Sequence, residues 1–241
     1  MINNVRKVHF IGIGGVGISA LARLLLHEKK GISGTNDNPS PETLDELRSQ
    51  GVQISLDQNP ANLPDADLYV FSDAWLTMNP ALIEAAKQKR VPVLSYFQAL
   101  GLIADQYYLI AISGAHGKTT TTAMLIDILE EAKKDPTAIV GSLRIKTKSN
   151  FRAGKSKYFI AEADEYRRHF LNFTPKILAI TNIDADHLDY YKDLADIQNA
   201  FSELISKIPK DGFLVCNPAD PKVKPVLKSA KCRIVDYTKV R

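Results

Sequence analysis

The chain has 241 residues, 45% of them hydrophobic and 24% charged, with a formal net charge of +4, a balance ordinary for a soluble globular protein. The length suits two compact domains or one large one. Lysines and arginines gather only in short clusters such as Arg144-Ile-Lys146-Thr-Lys148 and Lys155-Ser-Lys157, too sparse for a nucleic-acid-binding stripe but suited to anionic ligands. Two cysteines make no disulfide framework, and no run approaches the roughly 20 apolar residues of a membrane helix, so the expectation is a cytoplasmic protein with no nucleic-acid or membrane partner.

KVHFIGIG reads as a buried strand running into glycines, which interrupt the N-terminal apolar run before any signal-peptide cleavage site. ISALARLLLHEK follows as a helix with Leu21, Leu24 and Leu25 on one face. SPETLDELRSQG predicts a capped helix, with Ser40 as N-cap, Pro41 at its first position and Gly51 as its stop. ADLYVFS is a strand, NPALIEAAKQKR a helix and VPVLSY another strand. Such alternation predicts a mostly parallel sheet with helices on both faces. At Gln106 the pattern restarts. YYLIAIS is a strand, and TTTAMLIDILEEAKK a helix with Met124, Leu125, Ile128 and Leu129 inward. KYFIAEADE and KILAITNID are strands ending in acidic residues, LADIQNAFSELISKI is an amphipathic helix, and GFLVCNP is a strand whose Cys216 reads as a buried free thiol. The fold class is therefore α/β: a Rossmann-like parallel-sheet domain over residues 1–104, then a P-loop-type α/β domain over 105–241.

Four clusters carry chemistry, each at the carboxyl end of a strand, where open α/β sheets bind ligands. GIGGVG supplies Gly12, Gly14, Gly15 and Gly17 between a strand and a helix, and Asp37 lies 20 residues beyond Gly17, near where a ribose-binding acid stands in dinucleotide folds. A diphosphate site and a merely structural glycine turn both fit that pattern. SGAHGKTTTT offers Gly114, Ala115, His116, Gly117, Lys118, Thr119 and Thr120 as a phosphate loop. Lys118 reaches β- and γ-phosphates, and the Thr119 hydroxyl is a Mg²⁺ ligand. Ile112 stands where the usual first glycine of such a loop belongs. AEADE places Glu162, Asp164 and Glu165 across the sheet edge from that loop, where a hard cation needs oxygen ligands. TNIDADHLDYY puts His187 between Asp186 and Asp189 at the same edge, which points to a metal or substrate ligand rather than a lone structural histidine.

Together and in this order, the four clusters resemble the Mur ligases, which build the peptide of bacterial peptidoglycan. GIGGVGISALARLL resembles the family's UDP-sugar loop, and SGAHGKTTTT, AEADE and TNIDADHLDYY resemble the branch that joins L-alanine to UDP-N-acetylmuramate. A neighbouring branch, which recycles murein tripeptide onto UDP-N-acetylmuramate, shares the HGKT loop. The resemblance implies an ATP- and Mg²⁺-dependent ligase working through an acyl phosphate. In it Lys118 holds the γ-phosphate, Thr119 and Glu162 bind Mg²⁺, and His187 places a second metal and the substrate carboxylate. Gly12, Gly14, Gly15 and Gly17 then cradle the UDP diphosphate.

Family members continue well past the equivalent of Arg241, through the rest of the central domain and a third, amino-acid-binding domain, so this chain alone is expected to have little or no ligase activity. Arg167 and Arg168 stand where acidic or small polar residues are common, and Tyr96 where arginine is. Two further readings remain: a UDP-sugar- or nucleotide-binding module without catalysis, and an NAD-dependent dehydrogenase built on GIGGVG and Asp37, which leaves Gly117-Lys118-Thr119 without purpose.

Overall fold

A computed structural model describes residues 4–38, 42–147 and 149–239. The chain divides into two units, one of residues to 100 with 141–153, the other of 101–140 with 154 onward. The first crossing falls at 100/101, four residues before the expected 104/105, and two further crossings follow at 140/141 and 153/154.

In the first unit the strands β1 (Lys7–Ile11), β2 (Gly31–Thr35), β3 (Gln53–Ser55), β4 (Leu68–Phe71) and β5 (Val93–Ser95) form a parallel sheet in the order β3-β2-β1-β4-β5. The helices α1 (Val16–His27), α2 (Glu42–Ser49), α3 (Trp75–Met78) and α4 (Pro80–Gln88) make most of the connections. Leu21, Leu24 and Leu25 of α1 are buried as expected, because residues three and four apart share a helix face. The proposed caps Ser40 and Pro41 lie outside the described residues. After β5 the chain turns at once into α5 (Tyr96–Ala104). Strand order reverses between β2 and β4 on either side of β1, which opens the crevice at the end of β1, where Gly12 follows.

The second unit repeats the plan. The strands β6 (Tyr108–Ser113), β7 (Thr137–Ile139), β9 (Tyr158–Glu162), β10 (Ile177–Ile180), β11 (Phe213–Cys216) and β12 (Arg233–Asp236) pair in parallel in the order β12-β11-β10-β6-β9-β7. β8 (Phe151–Arg152) belongs to the segment counted with the first unit. There that segment is tied to α1: the Asn150 amide donates to the Val16 carbonyl, and the Arg23 guanidinium donates to Ser149 Oγ at 3.0 Å. α6 (Lys118–Glu131) follows β6, and α7 (Leu194–Ser206) precedes β11. The α7 start is capped by the Asp193 side chain, which accepts from the Asp196 amide. Cys216 is buried and its thiol is pushed up to about 11, chiefly by burial.

The inward face of α6 differs from expectation. Met124 and Ile128 are each 60% exposed, whereas Thr122 and Ile126 are buried, and Ile126 packs with Ala138, Val140 and Ile160. Leu125 and Leu129 flank this core. At 100° per residue, positions 124 and 128 each lie about 160° around the helix from Ile126, so they cannot join its face. The run MLIDIL is apolar on two faces, and the sheet takes only one.

One buried titratable group stands out in the first sheet. His9 is 1% exposed in β1, with its ring nitrogens 2.9 Å from Ser33 Oγ and 3.0 Å from Thr35 Oγ1, and burial lowers its pKa from 6.5 to about 4. Keeping His9 neutral therefore contributes stability that is complete above pH 6.5 and is lost as pH falls to 4, by about 3 kcal/mol in all. Urea unfolding across that range is expected to show the loss, and His9→Gln to flatten the slope. Identical slopes in the two proteins would rule this titration out.

Candidate functional site

The centre of the second sheet ends in the sequence's most specific loop. β6 stops at Ser113, whose hydroxyl donates to the Ala163 carbonyl at 2.7 Å. Gly114 follows at φ +135°, and Gly117 at φ +83° forms the N-cap of α6, both in backbone regions that favour glycine. The loop is bolted to the residues that follow β10. The amides of Ala115 and His116 donate to the Asn182 carbonyl (3.3 Å) and Oδ1 (3.0 Å), while the Thr181 hydroxyl and the Asn182 amide donate to the His116 carbonyl (2.7 and 2.9 Å). The loop leaves the amide end of a 14-residue helix at the sheet's carboxyl edge, an arrangement that favours phosphate.

Two polar pairs join this loop to the acidic strand end, because the register sets Ile112 of β6 beside Glu162 of β9. The Thr119 hydroxyl donates to Glu162 Oε2 at 2.9 Å. Lys118 Nζ donates to both Glu165 carboxylate oxygens, at 3.0 and 2.9 Å, and to the Gly114 carbonyl at 2.6 Å. Glu165 is 3% exposed, and burial pushes its carboxyl upward against the pull of Lys118. Burial acts on Asp164 in the same sense, but His169, the Tyr166 amide and Lys118 hold it below the usual carboxylate range.

His187 lies at the same edge with left-handed backbone, φ +56°. Its amide donates to Asp186 Oδ1 at 2.7 Å, and its ring lies 4.7 Å from that of Tyr166, whose hydroxyl is 3.0 Å from Asp189 Oδ2. His187 Nε2 is 3.8 Å from Glu165 Oε1. Ligand atoms of Asp164, Glu165 and His187 lie within 4.8 Å of one another, a trio that could hold a metal ion. Among the described residues, then, Thr119 and Glu162 form one candidate cation pair, and His187 groups with Asp164 and Glu165 instead of joining them. His116 is exposed in the loop and Thr120 in the first turn of α6.

The glycine loop of the first unit is built around a residue other than Asp37. Gly12 and Ile13 donate to the Thr35 carbonyl at 2.8 and 3.2 Å, and Gly14 donates to Asn36 Oδ1 at 3.0 Å. Asn36 is buried and packs so closely on Gly14 that a Cβ there would meet its amide at 2.6 Å. Asp37 is exposed. Gly15 caps α1, and Gly17 lies under the Tyr96 ring, 2.8 Å from where its Cβ would be. Asn36 and Asn182 were not among the expected site residues. Asn182 lies within TNIDADHLDYY and Asn36 stands directly before Asp37, but an asparagine carries no charge to draw notice.

The chain also matches known proteins. The Mur ligase family catalytic domain matches residues 7–108, and the Mur ligase middle domain matches residues 112–240. A UDP-N-acetylmuramate–L-alanine ligase of Clostridium botulinum (strain Langeland) is 46% identical over 96% of this chain, which corresponds to 50% of that protein. The chain thus spans about half the length of the curated relatives it matches. Among solved structures, the UDP-N-acetylmuramate:L-alanyl-γ-D-glutamyl-meso-diaminopimelate ligase from Neisseria meningitides superposes with a TM-score of 0.87 at 26% identity, covering 96% of this chain and 77% of that one. The UDP-N-acetylmuramate–alanine ligase from Thermotoga maritima gives 0.78 at 30% identity, covering 91% and 51%.

The two loop glycines separate backbone strain from packing. A Cβ on Gly117 meets nothing within 4 Å, whereas on Gly114 it would lie 2.2 Å from Thr181 Oγ1 and 2.7 Å from the Asn182 carbonyl. Gly117→Ala is expected to cost about 1–2 kcal/mol through its positive φ alone. Gly114→Ala should cost about 2 kcal/mol more, because the Thr181–Asn182 backbone has to yield. Equal losses in urea unfolding would refute the packing difference.

Proposed function

The chain belongs to the Mur ligase family, and from that premise we propose that it carries the sugar-nucleotide-binding and ATP-binding domains of a ligase joining L-alanine to the lactyl carboxylate of UDP-N-acetylmuramate. Residues 1–104 would bind the UDP-sugar through Gly12, Gly14, Gly15 and Gly17, and residues 105–241 would bind ATP. One observation carries the reading: the glycine-capped loop at the end of β6, with Lys118 in it and Thr119 bonded to Glu162 at 2.9 Å. The 46% identity to an L-alanine ligase supports the choice of amino acid. The 0.87 TM-score to the tripeptide ligase supports that branch as the second reading, with lower weight because its sequence identity is 26%.

In this reading the lactyl carboxylate oxygen attacks the γ-phosphorus of ATP and ADP leaves, giving an acyl phosphate. The L-alanine amine then attacks the acyl carbon, and inorganic phosphate departs through a tetrahedral intermediate. The protein's work is positioning and charge neutralisation. Lys118 holds γ-phosphate oxygens, and the loop amides hold the phosphate chain. The hydroxyl of Thr119 and carboxylate of Glu162 are the hard oxygen donors that suit Mg²⁺, which when bound neutralises phosphate charge. His187, grouped with Asp164 and Glu165, would help place a second cation and the substrate carboxylate. The chain spans about half the length of the relative it matches, so turnover is to be measured in a protein of the relatives' full length.

In such an extended protein, phosphate release is expected to need both UDP-N-acetylmuramate and L-alanine, and a preference for tripeptide as acceptor would select the second reading. Lys118→Ala and Glu162→Ala should each lower turnover at least ~100-fold, the effect of losing about 2.7–4 kcal/mol of charge stabilisation. Calorimetric binding of UDP-N-acetylmuramate should stay within about twofold of wild type in both. Retention of a tenth of the activity by either variant would remove that residue from its assigned role.

A further inference from the structure

We propose that Glu165 competes with the terminal phosphates of a nucleotide for Lys118, and so sets the affinity of the loop for nucleoside triphosphate. The inference rests on the reading of residues 113–119 as an ATP loop, and adds to it a residue that does not touch the nucleotide.

Lys118 Nζ has a full set of partners within the protein: two Glu165 oxygens at 2.9 and 3.0 Å and the Gly114 carbonyl at 2.6 Å, with the Ala115 carbonyl at 3.5 Å as a longer fourth. An ammonium has three protons, so each phosphate oxygen it takes displaces one of these bonds. The carboxylate is the more deeply buried of the two groups. Its main chain is fixed, because the Glu165 carbonyl accepts from the buried Tyr191 hydroxyl and from the Arg168 amide at 3.0 Å. Beyond it, Arg168 is anchored to Asp196 Oδ1 at 2.6 Å. The lysine by contrast has four rotatable carbons, so it is the partner that moves.

Its departure leaves a carboxylate of 3% exposure with Asp164 beside it in sequence and His187 3.8 Å away. Stripping one partner from a buried ion pair is costly, and that cost is subtracted from phosphate binding. Shape and pairing thus make Glu165 an internal rival of the phosphate: a two-oxygen anion, in bidentate contact, on the one side chain the phosphates require. The rivalry concerns β- and γ-phosphates alone, since those are the groups a loop lysine reaches.

The test is calorimetric, on the 241-residue chain with excess Mg²⁺, using ATP, ADP and AMP as probes. Glu165→Gln keeps the shape and removes the charge, and should bind ATP about tenfold more tightly than wild type, ADP by a smaller factor and AMP unchanged. Glu165→Asp keeps the charge but withdraws it by one methylene, and should fall between. Melting curves establish that each variant is folded, and Glu165→Ala serves in place of any that is not. Unchanged or weaker ATP binding in the neutral variants would overturn the proposal, as would an equal gain for AMP. Lys118→Ala separates the two layers. If it binds ATP as wild type does, or if wild type binds no ATP, the loop itself has been misread; if it loses ATP while Glu165→Gln gains nothing, only the rivalry fails.

Discussion

The contact of Gly114 with Thr181 and Asn182 is the constraint on which the second unit's site depends. β6 is the central strand, with β9 on one side and β10 on the other. A loop leaving its end has to pass between the continuations of both neighbours. It does so only because position 114 has no side chain: a Cβ there would enter the Thr181 hydroxyl at 2.2 Å. From this close passage the rest follows. Asn182 reaches the His116 backbone with both ends of its amide, Ser113 reaches the Ala163 carbonyl, and Thr119 and Lys118 arrive over Glu162 and Glu165. The site is thus a consequence of strand order as much as of motif.

The same logic shows which features the sequence could reveal. Long apolar strands ending in glycine or in acid were legible, because a strand buried on both faces has no polar alternation to confuse it. Gly-Lys-Thr, the acidic cluster and His187 were legible because charged groups at one sheet edge have few structural reasons to gather. The first sheet's outer strands were hidden. GISGT in β2 contains two glycines, and Gln53–Ser55 has three residues with only one large apolar side chain. α5 was hidden behind VPVLSY, whose strand ends at Ser95 with the helix beginning at the next residue. On α6, apolar residues on two faces left the inward one undetermined until Ile126 met Ala138 and Ile160.

Within the candidate site, the points the sequence left open are those decided by distance. Asp37 has the spacing of a ribose-binding acid, but Asn36 is the residue that turns inward onto Gly14. Both residues follow the end of β2, where the chain bends at Asp37, and a one-residue difference exchanges an exposed acid for a buried amide. His187 and Glu162 share an edge, yet His187 groups with Asp164 and Glu165. Loop residues 141–153 counted with the first unit carry no signal of their own beyond Asn150 and Ser149, whose partners on α1 are more than a hundred residues away in sequence.

The charge pattern at this edge also bears on how the two halves of the proposed ligand, a triphosphate and a divalent cation, would depend on each other. Glu162, Asp164, Glu165, Asp186 and Asp189 lie around a loop whose own cation is Lys118, and that lysine is already engaged by Glu165. A phosphate arriving by itself gains the loop amides but meets several carboxylates, and it has to draw Lys118 from its partner. A divalent cation by itself gains carboxylates but faces the lysine ammonium and the positive end of α6. Brought together, each would neutralise what repels the other: Thr119 and Glu162 would hold the cation, and Lys118 would exchange one anion for another instead of being stripped of all. On the proposed reading, metal and triphosphate would therefore bind this edge cooperatively, and Glu165 would contribute to the coupling because it pairs directly with the lysine.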